Sequence, residues 1–148
     1  MRAELQAGLA GAALSGAPST AVTLLRGEGL LDGARAAGAI VLPRERRTAV
    51  LLAAAVPVHL ALSLGWAVVL ARVLPPRRTA VWGALAGLGI AALDLGVAGR
   101  RIAAIRALPQ GRQWADHVAF GATVGLVLQR STSWTSARVS SGRSTCGT

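Results

Sequence analysis

Four side chains inside the long apolar stretches of this sequence can gain or lose a proton: His59, Asp94, Asp116 and His117. Histidine beside a carboxylate is the pairing that proteins use to hold protons or cations, because imidazole changes charge near neutrality. An ionisable group at the centre of a membrane helix costs about 2.5–3.5 kcal/mol on insertion scales, so each of the four needs a reason to be there. Two reasons compete. The favoured one is interhelical hydrogen bonding, in which the polar groups fix helix register. The alternative is a shared site for protons or cations built from His59, Asp94 and His117, with Asp116 beside them. Two histidines and an aspartate would also suffice in number for zinc, but none shows the i, i+3 or i, i+4 spacing of helical ligands, so no metal is expected. No Gly-x-Ser-x-Gly elbow and no phosphate-binding glycine loop occurs, and the one cysteine, Cys146, sits near the C-terminus. The sequence therefore predicts a non-enzymatic protein with no cofactor.

The elements that must position these groups are four apolar stretches, at Leu5–Leu25, Thr48–Ala71, Thr79–Ala98 and Gln113–Leu128. Arginine-bearing links separate them. A helix needs about 20 residues to cross a bilayer at 1.5 Å each. The second stretch meets this best, with His59 its only titratable group. The first carries Pro18, tolerable if neighbouring helices cover the carbonyl that proline frees. A signal peptide is disfavoured, since the best cleavage point would leave Pro18 directly after the cut. The fourth is the shortest: its charge-free part, Val118–Leu128, has eleven residues. The first link repeats Leu30, Leu31, Ala34, Gly38, Val41 and Leu42 at helical spacing, which predicts an amphipathic helix lying in the interface. The turn at Pro75–Arg78 predicts that the second and third helices form an antiparallel hairpin. Beyond Arg130 the chain turns to Ser, Thr, Gly and Arg, and residues 131–148 are read as a disordered tail.

The four stretches and their polar groups can be placed in depth. Links 1 and 3 fall on one side. From there Asp94 lies roughly 7 Å deep and His59 roughly 16 Å deep, while His117 is near the surface. Small residues at four-residue steps mark the faces that let helices approach: Gly83 and Gly87 on the third stretch, Gly121 and Gly125 on the fourth. The same motifs could serve a homo-oligomer. A weak likeness between the halves, His59-x-Ala61 with His117-x-Ala119 at an offset of 58, suggests a parallel duplication.

Composition agrees. The chain has 148 residues, is 53% hydrophobic and 15% charged, and carries a formal charge of +10. A soluble domain averages about 25% charged residues. Sixteen basic residues, all arginine, would suit nucleic acid in a soluble protein, but a nucleic-acid binder has no use for an apolar stretch such as Thr48–Ala71. The arginines suit lipid phosphates instead. Nine lie on links 1 and 3 and seven elsewhere, too even a division for the positive-inside rule to set direction.

The run Val58-His59-Leu60-Ala61-Leu62-Ser63-Leu64-Gly65, then Pro75–Pro76, Trp82-Gly83-Ala84-Leu85-Ala86-Gly87 and Gln113-Trp114-Ala115-Asp116-His117-Val118-Ala119-Phe120-Gly121, resembles the small four-span membrane proteins of unknown function common in high-GC actinobacteria. More distantly it is similar to the YagU-type inner-membrane family. The resemblance covers about residues 3–130 and implies location and span count, but no activity. The expectation is thus an all-α domain over residues 1–130. Four transmembrane helices and a short interfacial helix would lie in the cell membrane, with the lipid bilayer as partner and no nucleic acid. The expected role is structural, in interaction or envelope homeostasis, and the alternative is a small transporter-like or proton-responsive protein.

Overall fold

The computed structural model describes residues 1–143, with no strand among them; Cys146 lies outside the described residues. The chain is all-α. Helices α1 (Arg2–Leu14) and α2 (Ala17–Arg26) are one apolar segment with a break at Ser15–Gly16. Pro18, in the first turn of α2, has no N–H to give the preceding turn, and a proline disfavours helical backbone just before it. The run Ser15-Gly16-Ala17-Pro18 therefore closes one helix and opens another. Gly27 then ends α2 at φ 65°, where a side chain would be strained, and the Glu28 amide bonds back to the Thr23 carbonyl at 3.0 Å.

After α3 (Asp32–Ala39) come α4 (Thr48–Val73), which runs unbroken through Pro57, and α5 (Thr79–Leu93). The axis of α5 continues as a π-helical segment, Asp94–Ala98, and a 3₁₀ turn, Gly99–Arg101. A short α6 (Ala103–Arg106) leads to α7 (Gln110–Arg143). Among the described residues three segments are long and apolar enough to cross a membrane: Arg2–Arg26, Thr48–Val73 and Thr79–Arg101. The fourth expected span, 113–128, is not among them. It lies within α7, which has the length, but Arg112, Asp116 and Arg130 bracket too short an uncharged run. α7 also carries on past residue 131, where the sequence suggests a tail, and remains helical to Arg143.

Packing corrects a second expectation. The turn between α4 and α5 forms, with the Thr79 hydroxyl donating to the Pro75 and Pro76 carbonyls at 3.0 and 3.2 Å, but the two helices barely touch. Instead α4 packs on α1, α1 on α7, and α7 on α5. The contacts run antiparallel. Gly8 of α1 abuts Leu64 and Ala67 of α4, and Gly11 abuts Phe120 and Val124 of α7. A turn of proline and arginine sets direction, not contact; helices pack where their small residues let them approach. Each half of the sequence thus contributes one closely packed pair, α1 with α4 and α5 with α7.

The interior mixes alanines with a few larger apolar side chains. Ala7, Ala67 and Ala91 are fully buried, with Leu70, Ile90, Phe120, Val124 and Leu128 beside them. The large apolar side chains point outward: Leu5, Leu9, Val56, Leu62, Val73, Val81, Leu85 and Leu88 are all exposed.

The first link departs from its expected stripe. Only Asp32–Ala39 is helical. Its buried residues are Ala36, Gly38 and Ala39, with Gly38 tight against the Leu51 backbone of α4, while Leu30, Leu31, Val41 and Leu42 remain exposed. Close backbone approach, which only glycine permits, outweighs the larger apolar side chains in choosing the face.

Glu45 anchors the start of α4. Its carboxylate accepts the Arg46 and Arg47 amides, both at 2.8 Å, and the Arg47 guanidinium at 2.9 Å. These bonds hold its carboxyl down at about 2, from an ordinary 4.5. A carboxyl lowered in the folded state stabilises fully above its unfolded value and loses that effect as pH falls through the folded one. Hydrogen exchange at the Arg46 and Arg47 amides should therefore be constant above about pH 4.5 and accelerate progressively toward pH 2 relative to intrinsic rates. In Glu45→Gln that acid-dependent acceleration should disappear.

Candidate functional site

The helix break leaves two open ends, and two neighbouring helices close them. At the end of α1 the Ala12 carbonyl has lost its usual partner, the amide of Gly16. His59, reaching across from α4, donates to it from Nε2 at 2.9 Å. At the start of α2 the Ser19 amide points out of the first turn and donates to Asp116 Oδ1 of α7 at 2.9 Å. Asp116 thus serves as a helix cap supplied by another helix. Ser19 Oγ also donates to the Gly16 carbonyl at 3.2 Å, so both sides of the break are tied down.

One residue further on, His117 takes a different partner. Its Nε2 faces Asp94 Oδ2 at 3.5 Å, joining α7 to the π-helical end of α5. Its Nδ1 lies 2.7 Å from the Gln113 carbonyl in its own helix. Toward the links, the Arg112 guanidinium donates to both carboxylate oxygens of Glu28 (2.5 and 3.0 Å) and to Thr23 Oγ1 at 3.2 Å. This holds the Glu28 carboxyl below the usual range and clamps the end of α2 to the start of α7.

The expected cluster of four is therefore divided. Asp94 and His117 meet, and Asp116 lies beside them in sequence but turns to α2. His59 is separate: it sits on α4, which barely touches α5, and its ring is used on α1. Depth alone suggested a shared site; because α4 hardly meets α5, His59 turns to α1 while Asp94 turns to α7.

The four glycines pack directly. A Cβ on Gly83 would strike the Gly121 carbonyl, one on Gly121 would strike Gly83, and one on Gly125 the Thr79 carbonyl. Gly87 lies against the His117 and Val118 backbone. This close approach brings Asp94 within reach of His117.

Sequence reasoning passed over Ser19, Ala12, Thr23, Glu28 and Arg112. The signal for the first two was present, since Ser-Gly-x-Pro inside a span predicts a break whose ends need partners. The Arg112–Glu28 clamp had none, because the two lie 84 residues apart in sequence. Among the described residues no three His, Cys, Asp or Glu side chains gather as a metal centre. Compared with known protein families, with curated proteins and with solved structures, the chain matches none.

Proposed function

We propose that this chain is a multi-pass integral protein of the cell membrane with four crossings, and that its role is architectural and not enzymatic, in structural interaction or envelope homeostasis. The observation that carries the role is the use made of the polar side chains: His59, Asp116 and His117 each engage a different helix. These groups hold a broken helix and its neighbours in register.

The membrane reading is supported by helix contacts made at glycine and alanine and by an exterior rich in leucine and valine. In water so large an apolar exterior would drive aggregation. In lipid it is the expected arrangement, because small residues let helices approach while large ones meet acyl chains. The fourth crossing is supported by packing. α7 runs antiparallel along α5 from Gly125 at Thr79 to His117 at Gly87, and it also lies against α1 at Phe120 and Val124. A helix flanked by two spanning segments over that distance shares their depth. Asp116 and His117 are tolerable there because other helices satisfy them. The resemblance to small four-span actinobacterial membrane proteins points the same way.

Reporter fusions test the topology. A reporter in the Pro75–Pro76 turn and one after Arg130 should report the same side of the membrane. Opposite sides would mean that α7 does not cross, and the four-crossing reading would fall.

A further inference from the structure

The contact between Asp94 and His117 has a proton requirement set by geometry. His117 Nδ1 is 2.7 Å from the Gln113 carbonyl oxygen, which can only accept, so Nδ1 carries a hydrogen. The open question is Nε2, which faces Asp94 Oδ2 at 3.5 Å. With no proton there, a nitrogen lone pair meets a carboxylate oxygen, two acceptors with nothing to share. With one proton, the pair is an imidazolium beside a carboxylate. The contact is attractive only when occupied.

The backbone at this point is also unusual. Asp94 opens the π-helical segment Asp94–Ala98, a wide turn that is rare and recurs at functional positions. It follows the tight α5–α7 glycine contact, so the helix is fixed below Asp94 and irregular from Asp94 onward. The side chains are 21% exposed at His117 and 32% at Asp94, so the pair is not sealed inside the bundle and a proton can leave it.

We propose that Asp94 and His117 form a binding site for one exchangeable proton, and that its occupancy decides whether the π-helical end of α5 stays docked on α7. This goes beyond the architectural role and takes up proton handling for this pair alone. When the proton leaves Nε2 for water on the link side, the pair passes from neutral to one net negative charge and the end of α5 moves away. The titratable and charged surroundings are few. α7 presents Asp116, turned to Ser19, and Arg112, engaged with Glu28 of the α2 end. α5 holds no charge before Asp94, while Arg100 and Arg101 follow in the exposed 3₁₀ turn. α1 carries only Arg2 and Glu4, at its far end, and α4 offers His59, bonded to Ala12.

The full chain, with Cys146→Ser and spin labels at Val97 and Ala115, is reconstituted in phosphatidylcholine nanodiscs and followed over about pH 5 to 8, where imidazole ordinarily changes charge. Spectra of the chain with ¹⁵N-histidine and no spin labels report the proton on Nε2 of His117 directly. The expected result is loss of that proton within the range, accompanied by an increase in label distance on the order of 2 Å, the size of a helix shift at a switching contact. In Asp94→Asn the side-chain amide can donate to a neutral Nε2, and in His117→Gln the amide can donate to Asp94. Both variants should stay docked with a distance that does not respond to pH. The proposal is overturned if Nε2 keeps its proton throughout, if it loses the proton with no change in distance, or if either variant shows the full pH response. None of these outcomes bears on the number of crossings, which the reporter fusions decide independently.

Discussion

A single methyl group added at Gly121 is expected to drive α5 and α7 apart. In Gly121→Ala the new Cβ would strike the Gly83 carbonyl, and in Gly83→Ala it would strike the Gly121 carbonyl. Backbone cannot rotate out of the way as a side chain can, so the helices must separate along their whole contact. Overpacking costs about 1–3 kcal/mol where a core can adjust, and this site belongs at or above the top of that range. Separation would also carry Asp94 away from His117. Gly65 and Gly89 are the controls: a Cβ at either meets nothing within 4 Å, so their alanine variants should be neutral or slightly stabilising. Reversible unfolding in mixed micelles measures all four. Equal losses for Gly121→Ala and Gly89→Ala would contradict the glycine contact.

The second large effect is expected at Asp116. Removing it in Asp116→Ala leaves the Ser19 amide at the opened start of α2 without an acceptor. A buried donor left unsatisfied costs about 1–3 kcal/mol, and the part-buried Ser19 amide belongs in the lower half of that interval. Asp116→Asn keeps an acceptor oxygen and should recover most of the stability. His59→Leu should cost less, about 0.6 kcal/mol, the mean for hydrogen bonds between membrane helices, because a carbonyl left unpaired is better tolerated than an amide. The ranking Asp116→Ala, then His59→Leu, then Asp116→Asn is the result to check. Closing the break by Gly16→Ala with Pro18→Ala should blunt the first two losses, since a continuous helix would satisfy the Ala12 carbonyl and the Ser19 amide internally. Undiminished losses in that background would show that the two side chains stabilise something other than the break.

Helix content, the apolar lengths of the first three segments and the stripes of glycine were legible in the sequence because each is a local property. Periodicity and composition need no partner to be seen. So was the tension in the first segment, where a proline inside an apolar run demands help from neighbours. Which neighbours help was not legible. His59 was placed by depth alongside Asp94, but α4 packs on α1 and hardly meets α5, so its ring goes to Ala12. The turn at Pro75–Arg78 implied a packed hairpin, yet α4 and α5 lean on other partners. Local sequence fixes what a helix can offer on each face; only the fold decides which faces meet, because contact is won by whichever pairing brings backbones closest. Gly83 on Gly121 and Gly8 on α4 win it here, and the partners of His59, Asp116 and His117 follow from that.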